Sequence, residues 1–142
     1  MGLLARAPLA MLESWARRAG ESGSLPGRTW LRKPETGLAM LRGRAGGAGE
    51  RFNLGEMTLT RCVLRIETGE VGVAYVQGRS QRKAELSALA DALLQSAPWR
   101  EAVWRRLIEP VRAHLDSETA RKRNKAQATR VEFFTLAREA GE

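Results

Sequence analysis

The stretch MTLTRCVLRIETGEVGVAYVQGR, Met57 to Arg79, decides the fold. Its first half is rich in β-branched residues, its second carries Val71, Val73, Tyr75 and Val76, and Thr68-Gly69 between them is a turn signal. The two halves read as a hairpin. Upstream, Arg28 to Lys33 holds Thr29, Trp30 and Leu31, while Thr36 to Gly43 alternates Leu38, Met40 and Arg42 against Ala39 and Leu41. These runs predict another hairpin, around a Lys33-Pro34-Glu35 turn. Residues 28–79 are therefore expected to form an antiparallel sheet.

On both sides of the sheet the apolar spacing becomes helical. Leu3, Leu4, Ala7, Met11 and Trp15 predict an amphipathic N-terminal helix over residues 1–20, with Pro8 in its first turn or starting it. Gly20 to Gly27 is a loop. Residues 80–130 read as helices: the first has Ser80 as N-cap, Leu86, Leu89, Leu93 and Leu94 on one face and Arg82, Lys83, Glu85 and Asp91 on the other. A second begins near Ser96 and carries Trp99, Val103, Leu107 and Ile108 until Pro110 kinks or ends it. Asp116 to Arg130 is so polar that it holds as a helix only by packing on something else. Residues 131–136, with Phe133 and Phe134, predict a C-terminal strand that the sheet or a partner covers. The fold class is α+β, a single domain over residues 1–142 with a central antiparallel sheet and flanking helices.

The chain has 142 residues, 43% of them hydrophobic and 28% charged, which are ordinary globular values. Its apolar start is too short and too interrupted by Arg6 and Pro8 to span a bilayer, and Glu13, Arg17 and Arg18 follow where a signal peptide would be cleaved. Cys62 is the only cysteine, so no intramolecular disulfide forms. A cytoplasmic location is expected. The net charge of +8 favours an anionic partner: nucleic acid, nucleotide, phosphorylated metabolite or an acidic protein face.

The segment joining the two hairpins, Gly43-Arg44-Ala45-Gly46-Gly47-Ala48-Gly49-Glu50-Arg51-Phe52, is the first candidate for chemistry. Backbone N–H groups freed by glycine converge on anions, and Arg42, Arg44 and Arg51 supply the charge-assisted bonds that phosphate takes. The segment lacks the Gly-Lys-Ser/Thr ending of a P-loop and joins strand to strand, so it is neither that motif nor a dinucleotide fingerprint. Two readings stand: a turned connection in which glycine supplies positive φ, or direct phosphate contact through Arg42, Arg44, Arg51 and the Gly46-Gly47 backbone. The basic run Arg121 to Arg130 reads as a solvated helix or a nucleic-acid contact, and it lacks the aromatics that single-strand binders add. Trp99 and Trp104 are core residues or a docking surface. With one His and one Cys, neither a zinc site of the usual type nor an iron–sulfur cluster assembles from this chain. Cys62 is a small buried side chain, His114 an exposed one, and Glu50 and Glu56 an unremarkable pair of carboxylates. No catalytic constellation is visible.

The ordered blocks Pro34-Glu35-Thr36-Gly37-Leu38, Arg42-Gly43-Arg44-Ala45-Gly46-Gly47, Phe52 to Arg61, Tyr75-Val76-Gln77-Gly78-Arg79, Lys83-Ala84-Glu85-Leu86 and Val131 to Thr135 resemble the PhnG family. Ser80 and Val73 depart from the pattern, which commonly has an acidic residue and a histidine there. The resemblance implies a subunit of the bacterial phosphonate carbon–phosphorus lyase complex. It implies work with PhnH-, PhnI- and PhnL-type subunits, and in the same complex PhnJ, in which an alkylphosphonate displaces adenine from ribose C1′ of ATP. ATP with magnesium is then the substrate of the complex, and no cofactor belongs to this chain alone. The alternative is a small basic nucleic-acid-binding module.

Overall fold

Thr60, Cys62, Leu64 and Ile66 are fully buried and alternate with the exposed or half-buried Arg61, Val63 and Arg65. That period of two lays one face of a strand on a core. The computed structural model of the chain describes residues 1–21 and 25–129. Three strands, β1 (Arg28–Arg44), β2 (Arg51–Ile66) and β3 (Val71–Gln77), form one antiparallel sheet in that order. Helices α1 (Gly2–Arg6) and α2 (Leu9–Glu21) precede it. Helices α3 (Gln81–Gln95) and α4 (Ala97–Val103), a π-helical turn (Trp104–Ile108) and α5 (Glu109–Ala128) follow. The chain thus adopts the α+β class expected of it, with β2 and β3 meeting across the Thr68-Gly69 turn.

Helix α3 is the centre of the molecule. It lies against β2 and β3 on one side and against α1, α2 and α4 on others. Ala84, Ala88 and Ala92 keep its sheet-side surface low, so the strands approach closely, while Leu86, Leu89 and Leu93 are almost wholly buried. Each such leucine contributes about 1.5–3 kcal/mol. Ser80 starts the helix as expected, its Oγ accepting the Lys83 backbone N–H at 3.2 Å.

The polar residues of α3 do not form the single solvent face that their spacing predicts. Glu85 takes Arg28 at 2.7 Å and Arg82 at 2.8 Å. Burial pushes the Glu85 carboxyl up, but hydrogen bonds and charge from the two guanidiniums outweigh it and leave the group below its ordinary value. Asp91 Oδ2 accepts the Val73 N–H at 3.1 Å, and Gln95 Nε2 donates to the Val71 carbonyl at 2.8 Å. These side chains occupy the outer edge of β3, which would otherwise offer unpaired backbone groups.

Three prolines mark where the structure corrects the sequence reading. Lys33-Pro34-Glu35 is not a turn: β1 runs straight through it, with register shifts between Arg32 and Glu35. β1 is an edge strand, so the N–H that proline lacks is not needed there, and a bulge absorbs the ring. Pro8 separates α1 from α2, so the N-terminal helix is two pieces. Pro110 does not end its helix. The turn before it widens to π hydrogen bonding over Trp104–Ile108, which relieves the clash between the proline ring and the carbonyl four residues earlier. The C-terminal half of α5 is solvent-exposed, with Val111 the only buried residue of that helix. The strand expected over residues 131–136, including Phe133 and Phe134, lies outside the described residues, as does Arg130.

Cys62 is wholly buried in β2, as its position predicts. Burial first, and the Glu85 charge second, push its thiol up to about 11. At pH 8 the thiolate fraction is then roughly 200-fold below that of a free cysteine. Alkylation by iodoacetamide, followed by mass spectrometry, should be slower by about that factor in the native chain and rapid in guanidinium. Fast native alkylation would contradict the burial.

Candidate functional site

The β1–β2 hairpin outlasts the sheet. β3 pairs with β2 only from Leu59↔Gln77 to Arg65↔Val71, whereas β1 stays paired with β2 as far as Arg44↔Arg51. Beyond Gly37↔Leu59 the chain is therefore a two-stranded arm, extending roughly 23 Å at strand rise. All of Arg51–Glu56 and most of Thr36–Arg44 are exposed.

Cross-strand partners share a face. On the face continuous with buried Thr60 the arm carries Leu38↔Thr58 and Met40↔Glu56, then, nearer the tip, Arg42↔Asn53 and Arg44↔Arg51. The register shift between Leu41 and Arg42 lets β2 carry one extra residue, Leu54, without breaking the alternation of β1. Arg42, Arg44 and Arg51 consequently share one face, which the sequence alone does not reveal. The opposite face carries Ala39, Leu41 and Gly43 beside Met57, Leu54 and Phe52. A Cβ on Gly43 would lie 3.8 Å from Leu54 Cδ2 and 4.0 Å from Phe52 Cζ, which places both side chains there.

The tip is a short 3-10 turn, Ala45–Gly47, closed by the Gly49 N–H donating to the Ala45 carbonyl at 3.1 Å. Gly46 and Gly47 have φ of 59° and 80°, so both stand in the left-handed region that glycine serves. Arg44 Nη1 donates to the Gly49 carbonyl at 3.2 Å, which ties one arginine to the loop. The connection reading of the glycines is thus satisfied in full, and three guanidiniums remain beside it. Arg44 directly opposite Arg51 is a like-charge cross-strand pair, an unfavourable placement.

At the arm's base Glu35 pairs with Arg32 at 2.6 Å and Arg61 at 2.5 Å, and hydrogen bonds from Arg32 and then Arg61 hold its carboxyl below the usual range. Glu50 stands in the tip loop and Glu56 in β2, and neither is in an ion pair among the described residues. The two tryptophans separate: Trp99 is half-buried against the core, while Trp104 is exposed and lies beneath Arg112 at 5.5 Å. His114 is half-buried on α5 rather than exposed. Among the described residues no group of three or more His, Cys, Asp and Glu stands close enough to hold a metal, and no helix is long and apolar enough to cross a membrane.

The arm also exposes Leu38, Met40, Leu41, Phe52 and Leu54, with Leu38 at 66% and Leu54 at 65%. An isolated two-stranded hairpin is marginal in water, and clustered exposed apolar groups mark a contact surface. Body and exposed arm together have the features of an assembly component. The chain belongs to the family described as phosphonate metabolism protein PhnG, whose profile matches residues 1–139. It is similar to the alpha-D-ribose 1-methylphosphonate 5-triphosphate synthase subunit PhnG of Rhizobium meliloti (strain 1021). The two are 46% identical over 139 residues, which is 97% of this chain and 86% of that one. Neither comparison lends support to the nucleic-acid-binding alternative.

Proposed function

We propose that this chain is a subunit of an alpha-D-ribose 1-methylphosphonate 5-triphosphate synthase and works only with partner subunits. The observation that carries this is the arm: it exposes apolar side chains on both faces, is uncovered by its own body, and is tipped with three arginines on one side. The family and its named relative support the reaction. The partners are the PhnH, PhnI, PhnJ and PhnL types, in the cytoplasm, and ATP with magnesium is the substrate of the complex. Within that assembly Arg42, Arg44 and Arg51, with the Gly46-Gly47 backbone, meet the triphosphate or the phosphonate. Trp104 offers an exposed aromatic contact to a neighbour, while Trp99 belongs more to the core.

The expected result of Arg51→Ala in the reconstituted complex is a fall of roughly 10- to 100-fold in adenine release from ATP plus methylphosphonate, the size of a lost charge-assisted hydrogen bond. The complex should still assemble. An unchanged rate with intact assembly would sink the substrate role of the arm tip. Loss of assembly would reassign Arg51 to docking.

A further inference from the structure

A second basic site lies on the body, away from the arm. Helix α1, the end of β3, the first turn of α3 and the middle of α5 converge on a cleft of about 470 Å³, within the roughly 300–1,000 Å³ of small-molecule sites. Its lining brings together Arg6, Lys83 and Lys122 with Gly78, Thr119 and a single carboxylate, Glu118. Glu118 leans towards Arg121 at 3.4 Å, outside this lining. Neither Lys83 nor Lys122 is in an ion pair among the described residues. Arg6 engages only its Nε, which donates to the Gly2 carbonyl at 3.2 Å.

Three cations from three separate helices thus line one cavity against a single carboxylate, Glu118, which Arg121 also engages. Lys83 is half-buried at the cleft, while Arg6 and Lys122 reach it from exposed positions. We infer that this cleft binds a small phosphate-bearing anion, with Lys83, Lys122 and Arg6 as its ligating groups. The Ser80-capped start of α3, a helix of fifteen residues, adds the favourable end of its dipole beside Lys83. Burial holds the Lys83 ammonium below the ordinary lysine value, a penalty that a bound anion relieves. Lys83 lies in the Lys83-Ala84-Glu85-Leu86 block, whose glutamate the fold already uses to anchor Arg28, whereas its lysine ammonium is in no ion pair among the described residues.

The test uses the full chain, labelled with 15N and titrated with sodium tripolyphosphate, inorganic phosphate or ATP at constant ionic strength. Saturable amide shifts are expected at Gly78, Lys83 and Lys122. Lys83→Gln and Lys122→Gln should each weaken binding about tenfold or more, and Arg123→Gln, equal in charge but outside the cleft, should not. Lys122 is exposed, so its variant remains informative if Lys83→Gln fails to fold. Tighter binding of tripolyphosphate than of phosphate would identify a polyphosphate chain as the ligand, and a further gain with ATP would add the nucleoside. The inference is overturned if no titrant saturates, if both lysine variants bind like the parent, or if the shifts fall at Gly46 and Gly47 instead. Its failure would leave the arm reading untouched, since no residue is shared.

Discussion

Gly72→Ala should cost the chain about 3 kcal/mol or more, the largest stability loss expected from adding one methyl group anywhere in the sheet. A Cβ on Gly72 would lie 1.9 Å from the Ala88 carbonyl oxygen, 2.7 Å from the Ala92 nitrogen and 2.9 Å from the Ala88 carbonyl carbon. All three atoms are helix backbone, so no side chain can swing aside. Either α3 moves off the sheet by more than 1 Å, a roughly van der Waals-sized correction, or β3 does. Both routes open the contact between Ala74, Val76 and Cys62 on the sheet and Ala84, Ala88 and Ala92 on the helix. They also pull Val73 from Asp91 and Val71 from Gln95, the bonds that close the edge of β3. Urea denaturation followed by circular dichroism should show a lower midpoint at similar slope, with Tm down by roughly 6–12 °C. Gly20→Ala is the matched control: nothing lies within 4 Å of its Cβ position, and it sits in α2. That change should be neutral or stabilise by about 0.5–1 kcal/mol. Equal stability of the Gly72 variant and the parent would contradict this packing of α3 on the sheet.

Gly72 also shows what a sequence does and does not disclose. The β2–β3 hairpin was legible because turn chemistry and alternation agreed, and the buried set Cys62, Leu64 and Ile66 follows from the same period. Helix α3 was legible by its leucines. Its polar residues were not, because spacing assigns a residue to a side of the helix but does not say what stands there. Glu85 and Asp91 face Arg28 and the β3 edge, contacts between positions far apart in the chain. Pro34 misled for a related reason. Proline is a turn signal and also an edge-strand residue, and only the pairing partner decides between them. The counterweight was in view: Lys33-Pro34-Glu35 supplies no glycine or asparagine for a tight hairpin turn, whereas Ala45 to Gly49 does. As for the candidate site, its three arginines were found by composition. Their common face depends on the one-residue bulge at Leu54, which no local pattern announces.

The same bulge sets up the second large effect. Phe52 and Leu54 on one face of the arm, and Leu38 and Met40 on the other, are 46%, 65%, 66% and 58% exposed, so they contribute little to the fold of the isolated chain. In an assembled subunit they become candidate anchors, and truncating a central anchor typically costs 2 kcal/mol or more of binding. The double variant Phe52→Ala/Leu54→Asp should therefore melt within a degree or two of the parent yet bind its partner subunits at least 100-fold more weakly, as read by titration calorimetry or by co-elution at fixed concentration. Leu38→Asp/Met40→Asp asks the same of the other face. If both pairs weaken assembly, the arm is inserted between partner surfaces; if one pair does, the arm lies flat and its other face stays wet. A hairpin that is covered on both sides also opens less readily, so hydrogen exchange of the Met40 and Leu41 amides should slow on assembly whichever variant proves decisive. Wild-type assembly by both double variants would remove the arm from the interface. The arginines at its tip would then have to act without the arm as their anchor, an outcome distinguishable from the Arg51→Ala result because that substitution leaves all four apolar side chains in place.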